Sequence, residues 1–171
     1  MKQSSESANF ILDHLQYNMP IGTAIEATQT VNMNTVLGDM YTKYKYFKIV
    51  LNCINSWGSA QSGNATYSPA NTVSLGVTGL DFVNTTFDGL QTNMARFPGS
   101  FALPNNGSGN VSNFPFETTG VVFRRPNNPN QVNLKLSLIN PRNTNPVTVS
   151  NVIASYSALY FFTIYGLYED D

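Results

Sequence analysis

The final run of the chain, Ser155 to Tyr168 (SYSALYFFTIYGLY), limits the fold more than any other stretch. It has no Pro, no charge and a single Gly, and its aromatic and β-branched residues favour a pleated strand. Split by period two, one face carries Tyr156, Ala158, Tyr160, Phe162, Ile164 and Tyr168. The other carries Leu159, Phe161, Tyr165 and Leu167, with Ser157 and Thr163 among them. A strand with one wet side alternates apolar and polar residues. This one is largely apolar on both sides, so one face should fill a core and the other should meet a second layer or another subunit. At about 3.3 Å per residue the run would reach about 45 Å, beyond the usual strand length. A bend near Gly166 or an early end is therefore expected.

Upstream, period-two patterning recurs between turn signals. Ile25, Ala27, Val31, Met33 and Leu37 form one face from Thr23 onward, Gly38 breaks it, and Asp39 is placed to cap a helical turn over Met40–Lys43. Tyr46 to Asn55 reads as a strand with Phe47, Ile49, Leu51 and Cys53 inward. Val73, Leu75 and Val77 form a short strand, and Leu80 to Phe87 follows with Phe82 as its apolar anchor. Thr118 to Arg125 and Val132 to Leu138 read as a hairpin across the turn at Pro126–Pro129. Ser59 to Asn71 and Gly99 to Asn113 read as polar loops. Seven or eight strands separated by Pro, Gly and Asn turns argue an all-β sandwich or barrel. Residues 1–20 lack the period-two pattern and end at Pro20, so they read as an N-terminal arm to a domain over 21–171. Within the arm, Phe10, Ile11, Leu15 and Tyr17 suit either a short helix or an extended segment lying on a neighbour.

A chain of 171 residues fits one domain. Charged residues make up only 11%, less than half the usual share. A surface of amides and hydroxyls costs little to desolvate, which suits lateral packing. The net charge of −1 and the scattered basic residues give no stripe for phosphate, so direct nucleic-acid binding is not expected. No run approaches the ~18 apolar residues of a membrane span, and MKQSSESANFILDHL has no apolar core of a secretory signal. On that ground the N-x-[ST] patterns at Asn64, Asn84, Asn106 and Asn110 read as unglycosylated.

Chemistry is sparse. His14 is the only histidine and Cys53 the only cysteine, and no G-x-S-x-G elbow is present. A site of several His or Cys is excluded by count, and Cys53 reads as a buried thiol. Asp81, Asp88 and the terminal Glu169-Asp170-Asp171 could supply oxygens to calcium, but the preferred reading is solvated carboxylates. No cofactor, metal or catalytic residue is expected. Arg124 and Arg125, the densest basic point, suit a polar contact to phosphate or a neighbour's carboxylates, or else an exposed hairpin end.

The segment Met40-Tyr-Thr-Lys-Tyr-Lys-Tyr-Phe-Lys-Ile-Val-Leu resembles the turn-and-strand junction of viral single jelly-roll capsid proteins, with Tyr41, Tyr44, Lys45 and Lys48 at the matching places. The Phe97-Pro-Gly99 corner, the late Arg125-Pro126 and the aromatic final strand are similar too, over roughly residues 23–168. The resemblance implies a single jelly-roll sandwich of about eight antiparallel strands with an N-terminal arm. It implies a non-enzymatic virion protein whose partners are copies of itself and other capsid proteins. The arm carries only Lys2, unlike the basic arms of genome-packaging coats, which points to a penton or minor capsid role. Phe10, Ile11, Leu15, Tyr17, Tyr160, Phe161, Phe162 and Tyr165 are the expected assembly residues. The competing readings are a trimeric ligand-binding module (tumour-necrosis-factor-like, complement C1q-like or lectin-like) and a phage receptor-binding tip.

Overall fold

The computed structural model describes residues 1–60, 67–68, 72–83, 86–87, 90–91, 93–97, 101–102, 108–114, 120–142, 144–149 and 154–169. The chain begins with β1 (Lys2–Met19) and β2 (Glu26–Val31), then two short helices, α1 (Met33–Leu37) and α2 (Met40–Lys43). It continues through β3 (Tyr46–Ala60), β4 (Tyr67–Ser68), β5 (Thr72–Thr78), β6 (Thr86–Phe87), β7 (Leu90–Gln91), β8 (Ala95–Arg96) and β9 (Phe101–Ala102). The last elements are β10 (Ser108–Asn113), β11 (Gly120–Arg124), β12 (Val132–Ile139), β13 (Thr148–Val149) and β14 (Ala154–Tyr168). Asn64, Asn84, Asn106, Asp88, Asp170, Asp171 and the Pro98-Gly99 half of the corner lie outside the described residues.

Two antiparallel sheets form a sandwich. The first runs β1-β14-β3-β10, with β11 continuing along β3, and the second runs β2-β12-β5-β8, with β9 also on β5. The pairs β1/β14, β2/β12, β3/β10 and β5/β8 are nested in sequence and fall alternately in the two sheets. That nesting is a ribbon rolled on itself, the jelly roll. Phe47, Phe97, Phe123, Tyr156, Tyr160 and Phe162 fill the space between the sheets, each at most 1% exposed. Phe162 stacks on Phe10 at 5.3 Å and meets Phe97 edge-on at 5.5 Å, so one side chain ties β14 to β1 and to the residue after β8 across the core.

Residues 1–20 are not a separate arm. Residues 2–19 pair with β14 along almost their whole length, from Lys2 opposite Tyr168 to Met19 opposite Ala154. Leu12, His14 and Met19 are buried. The period-two pattern is masked in the sequence because its inward set mixes Ser4, Ala8, Phe10, Leu12, His14 and Gln16, and two register shifts interrupt it. Strand β1 also reaches the second sheet. The Gln29 side-chain amide binds both the N–H and the C=O of Asp13, standing in for one residue of a neighbouring strand.

Other expectations change in register and connection. The first strand stops at Val31 because the Asn32 side chain accepts from the Thr35 N–H at 3.2 Å and opens α1, so Met33 and Leu37 are buried from a helix. Asp39 does precede α2, but its side chain makes no capping bond. Strand β12 does not form a hairpin with β11. The outer edge of β11 is already taken by Val83 N–H to Val122 O and by Arg124 N–H to Asp81 O, so β12 crosses to the second sheet. The long final strand stays paired with β3 through Gly166 to Leu167. Against β3 its irregularity lies where Phe161 opposes Cys53 and Phe162 opposes Leu51, which leaves Asn52 as an extra residue of β3. Against β1 a register shift falls opposite Gly166, between Gln3 and Ser7. Gly166 is required for another reason, since a Cβ there would collide with the ring of Tyr44.

That bulge separates the two faces of β14 energetically. Phe162 is 1% exposed and locked among aromatic rings, whereas Phe161 is half-buried on the opposite side. Phe162→Ala should lower protomer stability by about 3–5 kcal/mol, the usual range for a buried Phe truncation. Phe161→Ala should cost well under half of that. Denaturant unfolding of the two variants at equal concentration checks the ratio, and equal losses would show both faces to be internal.

Candidate functional site

The outer face of the first sheet is built by cross-strand rows. Pairing places Leu15, Ser157, Trp57 and Gly109 in one row. Asp13, Leu159, Asn55 and Val111 form the next, and Ile11, Phe161, Cys53 and Asn113 the third. Ile11, Leu15, Trp57 and Val111 are among the few large apolar side chains left exposed in the described residues, at 54%, 52%, 48% and 67%. Tyr17 continues the β1 line at 65%. Across these rows the single charged group is Asp13. Contiguous exposed faces that are apolar and almost without charge mark candidate interaction surfaces.

Below the third row the face is sealed by a polar ladder. Asn52 Nδ2 donates to Thr163 Oγ1 at 2.7 Å, and Thr163 Oγ1 donates to Asn9 Oδ1 at 2.7 Å. Thr163, the polar interruption of the final run, thus satisfies the extra residue of the bulge, and Val50 behind it is 1% exposed. An open depression of about 500 Å³ lies beside the ladder, lined by Asn9, Phe10, Ile11, Asn52, Phe161 and Phe162.

Of the expected assembly residues, Ile11, Leu15, Tyr17, Phe161 and Tyr165 are on the outside. Tyr160 and Phe162 face the interior, and Phe10 leans on the core through its stack with Phe162. Leu159 lies on the outer face with Phe161 and Tyr165, as the period-two split of the final run predicts, and Trp57 and Val111 join it from outside the predicted strands. Trp57 falls past the strand predicted over Tyr46 to Asn55, and Val111 falls in the loop predicted over Gly99 to Asn113. Only the bulge, which reverses the inward phase of β3 from Leu51 to Ile54, shows where they point. The same reversal corrects Cys53, which is half-buried on the outer face rather than inward, with its thiol pushed up by burial.

Several of the basic side chains are engaged within the chain. Arg124 Nη1 meets both oxygens of Asp81 at 3.1–3.2 Å, which raises its already high pKa. Arg125 donates to the Tyr41 carbonyl at 3.1 Å and lies over the Tyr41 ring at 5.4 Å. Lys43 binds Glu6, Lys45 binds Glu169 and Lys135 binds Glu26. Glu6 also accepts from the Tyr44 hydroxyl, and these donors, Lys43 foremost, hold its carboxyl below the usual range. His14 sits in the interior against Tyr160 and Gln16, with no nucleophile beside it. Among the described residues no three His, Cys, Asp or Glu side chains gather as a metal site, and no helix is long and apolar enough to cross a membrane.

No protein-family model matches the chain, and no curated protein matches it in sequence. Among solved structures it is similar to a chain of the nora virus structure, at 15% identity and a TM-score of 0.31, over 100% of this chain and 65% of that one. It is also similar to a chain of infectious bursal disease virus, Gx strain, at 12% identity and a TM-score of 0.31, over 95% of this chain and 40% of that one. The chain therefore spans less than two thirds of either.

Trp57, the only tryptophan, is a built-in reporter of this face. At 48% exposure it should be readily quenched by acrylamide in dilute protein. A quenching constant as low as that of a buried indole would place this face inside the protomer.

Proposed function

We propose that the chain is a structural subunit of a viral shell, a single jelly roll that assembles laterally with copies of itself, in a penton or minor capsid role. The observation that carries the proposal is the outer face of the first sheet. The jelly roll by itself serves many functions, so the face and not the fold decides. The rows from Ile11 to Trp57 cover roughly 20 Å by 20 Å at ordinary strand spacing and rise. That is about half of the ~800 Å² per partner of a specific interface, and Tyr17, Tyr165 and the polar strand ends extend it. With Asp13 as its one charge, the face offers a second copy little like-charge repulsion. The sequence resemblance over residues 40–51 supports the viral setting. The net charge of −1, with Arg124, Arg125, Lys43, Lys45 and Lys135 held by groups of the chain itself, supports a partner that is protein rather than nucleic acid.

The test is assembly as a function of concentration, followed by sedimentation together with Trp57 emission. Wild type and Thr28→Asp, on the second sheet, should assemble alike with a blue shift of Trp57. Leu15→Asp and Trp57→Asp should remain folded by circular dichroism and require at least about tenfold more protein, equivalent to roughly 1.4 kcal/mol. Leu15→Asp assembling at the wild-type concentration would remove the face from the interface. Five-membered rings would support the penton role, closed shells a main coat.

A further inference from the structure

The histidine buried in β1 holds a position that neither the core nor the assembly face requires. His14 is 0% exposed, stands edge-on to the Tyr156 ring at 4.9 Å, and is bonded through both ring nitrogens. Its Nε2 lies 2.8 Å from Gln16 Oε1 and its Nδ1 lies 3.0 Å from the Tyr160 hydroxyl. The orientation of the Gln16 amide is fixed independently. Its Oε1 accepts from the Glu26 backbone N–H at 3.0 Å, and its Nε2 donates to the Ala24 carbonyl at 3.1 Å. Gln16 therefore presents an acceptor to the imidazole, so Nε2 carries the proton and Nδ1 of the neutral ring accepts from Tyr160. One residue thereby joins β1 to β14 directly and, through Gln16, to the start of β2.

We propose that His14 is an acid-sensitive latch that holds the C-terminal half of β1 and the turn after it against β2 and β14. A proton on Nδ1 turns the acceptor into a donor aimed at a hydroxyl that already donates to it. Tyr160 must then rotate, and its other neighbour is the Tyr156 hydroxyl at 3.4 Å. The titratable and charged groups on the elements around the ring are Asp13 on β1, Glu26 on β2, Tyr156 and Tyr160 on β14, and Lys135 on β12. Asp13 lies on the outer face, and Glu26 is held by Lys135 at 3.1 Å, so neither carboxylate binds the imidazolium. The exit is prepared in the backbone, with Asn18 at φ 52° in the register shift of β1 and Gly22 at φ 89° after Pro20. Ile11, Leu15 and Tyr17 ride on the same strand, so opening the latch disorders the edge of the outer face.

The sign follows from burial. Desolvation lowers the pKa of His14 from its ordinary value of 6.5, against smaller raising effects of Gln16 and Asp13. A depressed His contributes fully above the unfolded pKa and loses that contribution as pH falls below it. The Glu6 link to Lys43 and Tyr44 opens only at lower pH, since that carboxyl is held below 4.5.

Hydrogen exchange of the full chain at pH 7.5, 6.5 and 5.5, corrected for intrinsic rates, tests the latch without reference to assembly. Protection of residues 12–19 should fall severalfold across this range, up to the about tenfold that one histidine of ordinary pKa allows, while β12 stays protected, as local opening requires. In His14→Gln the protection should be independent of pH. The single histidine also gives one NMR signal, whose midpoint should lie below 6.5, at the pH where the loss of protection levels off. Constant protection in the wild type, an equal fall in His14→Gln, opening of β12 in step, or a ring midpoint at or above 6.5 would each overturn the proposal. The assembly reading stands or falls separately, by the concentration dependence at pH 7.5.

Discussion

The structure depends on the two-sided pairing of β14. It is the one strand of its length with a full-length neighbour on each edge, β1 on one side and β3 on the other. Because every residue of a paired strand is committed to one face or the other, its register sets both surfaces of the first sheet at once. Tyr156, Ala158, Tyr160, Phe162 and Ile164 go inward, and Leu159, Phe161 and Tyr165 go outward. A one-residue slip would put five buried side chains into water and drive the outer set into a core already filled by Phe47, Phe97 and Phe123.

What makes the register tolerable over so long a strand is the extra residue at Asn52. Without it, Cys53 and Asn55 would continue the inward phase of Phe47, Ile49 and Leu51. With it, Ile54 and Ser56 do so, and Trp57 turns outward. The amide–hydroxyl ladder of Asn52, Thr163 and Asn9 satisfies the polar groups that the irregularity brings to the surface. The bulge therefore links fold to surface. It keeps β3 in the core at both of its ends and carries the indole to the apolar face. Strand β1, the free edge of this sheet, is secured by side chains instead of a further strand. Gln29 occupies the Asp13 backbone, Gln16 reaches Ala24 and Glu26, and Glu6 holds Lys43 and Tyr44. An edge closed in this way is protected from indiscriminate pairing yet depends on a few titratable and amide groups.

Much of this was legible in the chain. The alternation in Val132–Leu138, the apolar Val73–Val77 and the two-faced final run each specify a strand and its inward set, and the rolled pairing follows once the strands are ordered. The segment at residues 1–20 was not legible as a strand, because Ser4, His14 and Gln16 are polar residues made inward-facing by partners far along the chain. Periodicity counts apolar side chains, and a histidine satisfied by Tyr160 and Gln16 is invisible to it. The hairpin expected between residues 118 and 138 failed for a related reason. Nothing local records that Asp81 and Val83 have already occupied the edge of β11. The division of the final strand into a buried and an outward aromatic face was legible, but which face was which needed the bulge.

Hydroxyl-radical footprinting of the dilute protein and of the proposed assembly measures the division of β14 most directly, since aromatic and aliphatic side chains report their own exposure. Tyr156, Tyr160 and Phe162 should be unmodified in both states. Ile11, Leu15, Trp57 and Phe161 should be modified in the protomer and protected on assembly. Protection confined to the second sheet or to the strand ends, with Leu15 and Trp57 modified equally in both states, would contradict the assignment of the outer face.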